Sequence, residues 1–345
     1  MRRPAPFRLL PFGSLLALAL LTAPAAADGL RGSGRGYLVQ RATGLTLVRP
    51  AASATGARET PVELPQGAAV DEIFPLRAAT LITAYAPAAD DDGGTELVLA
   101  LVSGDTTQLV APPPGRPRGV SRENAVPLVS TADEMTALVW IEGPDRQHAA
   151  VRAAARTATG WSEVVTVAEA GPGSQLALAA TALADGSDLL LWSRFDGRDD
   201  EIYFARRAAG VWSAPSRLGA DNEVPDIVPA VVATGNGALA AWSRYDGHDY
   251  RLVVSRFAVG RWSEPESIGE PGSVFPSFER ASEGVRLVYE RAAPHGWAVV
   301  ELDRQGRTQR RADLSTASPQ RPVLVGDIAL WADRELPLRW RSAVR

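Results

Sequence analysis

Trp192-Ser193-Arg194-Phe195-Asp196-Gly197 returns fifty residues later as Trp242-Ser243-Arg244-Tyr245-Asp246-Gly247. Gly210-Val211-Trp212-Ser213-Ala214-Pro215 returns at the same interval as Gly260-Arg261-Trp262-Ser263-Glu264-Pro265. Short apolar runs that repeat at this period, each with an aromatic residue, are how a β-propeller encodes its blades. Working outward, each unit opens on a short strand with a proline near its start, as in Phe74-Pro75, Val126-Pro127, Val228-Pro229, Phe275-Pro276 and Arg321-Pro322. A turn such as Ala184-Asp185-Gly186 or Gly235-Asn236-Gly237 then leads into a second strand, because Asp-Gly and Asn-Gly favour the tight turns of antiparallel hairpins.

The second strands end on Tyr85, Trp140, Trp192, Trp242, Tyr289 and Trp331, which marks six units. The last unit is too short for four strands. The N-terminal stretches Gly36–Gln40 and Leu45–Val48 read as strands without a unit of their own. Joining the two predicts an all-β, six-bladed propeller of four-stranded antiparallel blades, its ring closed by N-terminal strands completing the C-terminal blade. The predicted blades span 63–120, 121–174, 175–224, 225–273, 274–317, and 318–345 with 30–62. The once-per-blade tryptophans read as packing residues between sheets, with their indole N–H groups satisfied locally.

The chain ends set further bounds. Arg2 and Arg3, the apolar run Leu15–Leu21 and Ala25-Ala26-Ala27 form a secretory signal pattern, with cleavage expected after Ala27. Residues 1–27 are therefore set apart from a single domain over 28–345, and the protein is expected to be exported, to the periplasm or the medium. The run is too short to span a bilayer, so no membrane insertion is expected. With no cysteine there are no disulfides. All 36 basic residues are arginine, consistent with GC-rich bacterial coding, and the net charge is −4. No basic stripe points to nucleic acid.

Over Trp192–Tyr203, Gly210–Pro215 and their copies at Trp242 and Trp262, the chain resembles the sialidase-like repeat propellers, also called BNR or Asp-box propellers. The resemblance implies a propeller and raises glycoside hydrolysis as a possible activity. Two departures separate the chain from the catalytic members. The stretch Arg206–Trp212 keeps the glycine and tryptophan of an Asp box but has no aspartate, and no Arg-Ile-Pro occurs anywhere. No catalytic residue is carried over.

In a propeller, the loops entering each blade share a face with those joining its second and third strands. The latter hold Asp90-Asp91-Asp92, Asp145 and His148, Asp196, Asp199 and Asp200, Asp246, His248 and Asp249, Arg291 and His295, and Asp333-Arg334-Glu335. All three histidines fall in this loop class. The entering loops add Asp71, Glu72, Glu123, Asp221, Glu223 and Asp226. Three readings compete for these residues. They serve as solvated turn residues; or they form a binding face for a glycan or an exported protein; or they build a hydrolytic or metal site from carboxylates on different blades. Arg194, Arg244 and Arg291 recur at one blade position and suit an acidic ligand, against the alternative of salt bridges to Asp196, Asp246 or a neighbouring blade. No H-E-x-x-H or G-x-S-x-G motif occurs, and no metal or cofactor is expected. The reading adopted is a non-catalytic interaction platform, with Arg194, Arg244, Arg291, Asp145, His148, Asp196, Asp199, Asp246, His248, Asp249 and His295 as candidate ligand-binding residues. A sialidase-like glycoside hydrolase on the same face is the alternative.

Overall fold

The computed structural model describes residues 30–50, 57–88, 95–114, 125–143, 146–171, 173–235, 237–281, 284–292, 295–315, 320–331 and 334–342. The expected signal segment, Asp90–Asp92, Glu123, Asp145 and Asp333 lie outside the described residues. The chain is all-β, and its strands form seven antiparallel sheets in chain order. Blade 1 comprises Arg31–Ser33, Gly36–Arg41, Gly44–Arg49 and Arg58–Pro61. Blade 2 runs from Ala69–Pro75 to Thr106–Val110, and blade 3 from Ala125–Val129 to Val165–Ala168. Blades 4 and 5 begin on Gln175–Ala182 and Asp226–Thr234, blade 6 on Ser273–Ala281, and blade 7 holds three strands, Val323–Val325, Ile328–Leu330 and Glu335–Pro337.

Seven blades, not six, correct the sequence-based count. The N-terminal strands build a sheet of their own and do not complete the C-terminal one. Counting by the aromatic at the end of the second strand missed blade 1, whose Tyr37 stands near the start of that strand. The tail does return to an earlier sheet: Arg341–Ser342 pairs with Thr308–Ser315 at the outer edge of blade 6.

Side-chain alternation along the second strand explains the repeated Trp-Ser-Arg. In a strand, neighbouring residues point to opposite faces. Trp192 packs on Leu128 and Val139 of blade 3, and Trp242 on Leu191 and Ile202 of blade 4. Trp140, Tyr289 and Trp331 likewise fill the junction with the preceding blade. Burying a side chain of this size contributes about 2–3 kcal/mol at each junction. The serine faces the other way. Ser193 Oγ accepts the Val228 N–H at 3.0 Å, and Ser243 Oγ accepts the Phe275 N–H at 3.1 Å, each in the inner strand of the next blade. Val228 and Phe275 sit at φ of 54° and 55°, where the register of the inner strand slips. A left-handed bulge withdraws its N–H from the ladder, and the serine hydroxyl supplies the missing acceptor. Pro229 and Pro276 follow these bulges in the first half of their strands.

The indole N–H groups of Trp192 and Trp242 have no hydrogen-bond partner among the described residues, contrary to expectation. Both rings are fully buried, Trp192 stacked on Tyr203 and Trp242 beneath the Arg244 guanidinium, amid otherwise largely apolar side chains. Trp140 and Trp331 do find acceptors, Glu142 and the Gln320 carbonyl.

Blades 1 and 7 meet without sharing a strand. The Gly34 turn lies against the Leu324 carbonyl so closely that a Cβ there would stand 2.4 Å from the oxygen. Beside this contact a cleft of about 330 Å³ separates the two blades, lined by Tyr37, Val39, Leu330 and Trp331 among others.

Ser243→Ala is expected to strand the Phe275 N–H and cost about 1–3 kcal/mol, seen as a fall of several degrees in Tm. Val211→Ser, at a side chain 71% exposed, should leave the melting curve nearly unchanged.

Candidate functional site

The loops joining second and third strands gather at one end of the ring, beside the loops that enter the blades. Between blades 4 and 5 the two classes meet. Asp196 Oδ1 accepts the N–H groups of Arg198 and Asp199 and closes the 196–199 turn. Asp246 holds His248 and Asp249 in the same way one blade on. The copies are therefore turn-forming at their first aspartate. Arg198 reaches Glu223 in the loop entering blade 5 at 3.0 Å.

The recurring arginines have three different surroundings. Opposite them on the inner strands stand Gln175, Asp226 and Ser273. Arg244 forms a bidentate pair with Asp226, Nε and Nη2 each at 2.7 Å from a carboxylate oxygen, and Asp226 is fully buried. Arg291 is buried with Nη1 3.7 Å from Asp313. Arg194 lies over the Tyr203 ring, its Nε without a partner. The predicted alternative partners are occupied elsewhere: Asp246 holds Arg251 at 2.6 Å, and Asp196 lies 3.6 Å from Arg217. The pair with Arg251 and the two loop N–H groups hold Asp246 far below the ordinary carboxylate range.

The remaining predicted residues are dispersed around the rim. His148 is exposed on a short 3₁₀ turn in blade 3, His248 and Asp249 are exposed on blade 5, and His295 is exposed on blade 6. Among the described residues, Asp196 and Asp199 are brought together in one turn and Asp246, His248 and Asp249 in the next, while Arg244 joins the first group through Asp226. No three His, Cys, Asp or Glu side chains converge in a metal-binding arrangement among the described residues.

Two buried acidic groups stand at this mouth: Asp200, which the sequence placed on the loop face, and Glu201, which it did not single out. Glu201, fully buried, accepts the N–H and side-chain amide of Asn222 and faces Arg217 at 3.8 Å. Burial pushes its carboxyl up to about 7, with Asp226 and Asp199 adding to the rise. Burial raises Asp200 to about 6, helped by Asp199 and Asp196. The sequence signal for the pair was the break in the repeat, where Asp200 and Glu201 occupy the positions of Tyr250 and Arg251.

A second polar group links blades that are not adjacent. Arg321 donates to Ser277 Oγ of blade 6 at 2.7 Å and to Glu72 Oε2 of blade 2 at 3.1 Å. It thereby bridges blades on either side of the 1–7 junction. Glu279 stands nearby, raised to about 7 by burial against the opposing pull of Arg321.

No protein-family model and no curated protein sequence matches the chain. Solved structures do share its fold. A prolyl endopeptidase is similar at a TM-score of 0.51 and 13% identity, over 96% of this chain and 53% of that one. Prolyl oligopeptidase B from Galerina marginata gives 0.51 and 11%, over 92% and 48%. A sialidase from Trypanosoma rangeli gives 0.46 and 12%, over 81% and 54%. This chain spans about half the length of each. What is shared with the two peptidases is the fold alone, and the fold does not carry their chemistry.

Asp200, Glu201 and Glu279 are held above their ordinary values, so the folded protein binds their protons more tightly than the unfolded chain. Stability is expected to fall as pH rises from about 4.5 to about 7 and to level off above. Glu201→Gln should make that decline shallower, measured as urea-unfolding midpoints between pH 4.5 and 8.

Proposed function

We propose that the protein is an exported, non-catalytic β-propeller that binds a glycan or protein ligand through the loop face. The observation that carries this reading is the division of labour between the repeated residues. Asp196, Asp246, Arg244 and Arg291 are committed to turns and ion pairs that hold the loops rigid, while His248, Asp249 and His295 are left exposed on them. A rigid frame that displays variable polar side chains suits recognition, since little ordering is required on binding. The sialidase-like alternative calls for arginines that converge, uncommitted, on a substrate carboxylate. Arg244 and Arg291 already face carboxylates of their own chain, and the BNR resemblance is thus retained as kinship of repeat, without its chemistry.

Binding of the purified protein to panels of immobilised glycans and synthetic peptides tests the reading. The His248→Ala/Asp249→Ala/His295→Ala variant is expected to lose at least tenfold in affinity for whatever is bound, with Tm unchanged. Substitutions at the opposite end, in the Asp303–Arg307 turn, should have no effect on binding. Turnover of aryl glycosides, including a sialic acid derivative, would contradict the non-catalytic reading.

A further inference from the structure

The loop face was expected to meet an acidic ligand through its arginines. The charge balance at the mouth between blades 4 and 5 has the opposite sign. Asp199 is 9% exposed, and its Oδ1 is shielded from solvent with no hydrogen-bond partner among the described residues. Oδ1 of the adjoining Asp200 is in the same condition. Asp196, Asp221 and Asp226 add negative charge around Asp199, and Arg198 is the cation that acts on it. Arg198 is itself exposed and drawn to Glu223. Arg217 is engaged by Asp221 at 2.7 Å, and Arg244 by Asp226. Two neighbouring, largely enclosed carboxylates therefore lack a countercharge, an arrangement that costs several kcal/mol unless a partner supplies it.

We propose that Asp199 and Asp200 receive the guanidinium group of an arginine side chain from a polypeptide partner, with the Tyr245–Tyr250 pair flanking it. This rests on the loop face being the ligand face and names the chemistry that it selects. A planar fork of N–H donors serves two carboxylate oxygens at once, which a point charge does not. The same mouth already binds guanidinium in this way, in the bidentate Arg244–Asp226 pair. Tyr250 lies close enough to Asp200 to feel its charge, and its ring meets Tyr245 at 5.2 Å between centroids. An aromatic face beside a carboxylate favours a guanidinium laid on it. A chelated metal fits less well, because no third side-chain ligand converges on the pair.

The test is titration calorimetry at low ionic strength, with the uncharged-end probe Nα-acetyl-arginine amide and three comparators: the citrulline analogue, Nα-acetyl-lysine amide and calcium chloride. The arginine probe is expected to bind at least tenfold more tightly than the citrulline or lysine probe. Asp199→Asn/Asp200→Asn, which preserves side-chain shape, should abolish that binding while Tm holds or rises. Asp303→Asn, in a distant turn, should bind as the parent does. No binding of the arginine probe by the folded parent would overturn the proposal, as would binding that survives in the double variant, equal binding of lysine or citrulline, or saturable calcium binding at these aspartates. A panel ligand still held by the double variant would overturn the guanidinium assignment alone and leave the broader reading of the loop face intact.

Discussion

Blades 4 and 5 are each fixed to their neighbours through opposite faces of one strand. The aromatic ring of Trp-Ser-Arg enters the apolar space toward the preceding blade, and the serine hydroxyl reaches a bulged N–H in the following one. Neither contact is available to an isolated blade. A single sheet would expose its tryptophan and leave the bulge residue, held at positive φ, without an acceptor. The ring is therefore the smallest unit in which these residues are satisfied, and the geometry of the loop face follows from it. The 196–199 and 246–249 turns leave equivalent strands in adjacent blades, which is why their carboxylates and arginines share one rim.

The closure of the ring departs from the pattern of its middle. Six blade junctions carry a buried apolar cluster. The junction of blades 1 and 7 carries instead the Gly34–Leu324 contact and the cleft at Tyr37 and Trp331. Arg321 compensates by reaching past this junction, from the entry to blade 7 to Glu72 in blade 2. Polar bonding from blade 6 to blade 2 thus stands where a shared strand was expected as the closing device.

The architecture was legible where the repeat is strong. Blades 2 to 6 follow from their turns and second-strand aromatics, and the alternation of Trp192 and Ser193 needed only the period of a strand. Blade 1 was not legible because its strands are three to six residues long and its aromatic stands at the other end. The site was less readable. Sequence placed Asp196 and Asp246 on one face. It could not show that Asp226, apparently in a loop, belongs to the inner strand and neutralises Arg244. Asp200 was placed on the loop face, but its burial, and Glu201 altogether, escaped the sequence because their surroundings include the entry to blade 5 and no local pattern records burial. The arginines drew attention because they recur, and recurrence turned out to mark ion pairing with the chain's own carboxylates. Of the two uncompensated carboxylates, Asp200 lies where the repeat breaks.

The account depends most on the serine hydroxyls joining one blade to the next. Amide hydrogen exchange of Val228 and Phe275, followed residue by residue by NMR, reports on those bonds directly. Both amides are expected to exchange as slowly as the central strand amides of Trp192 and Trp242, and to exchange much faster when the serine one blade earlier is replaced by alanine. Fast exchange at Val228 and Phe275 in the intact protein, while the strand centres stay protected, would contradict the account.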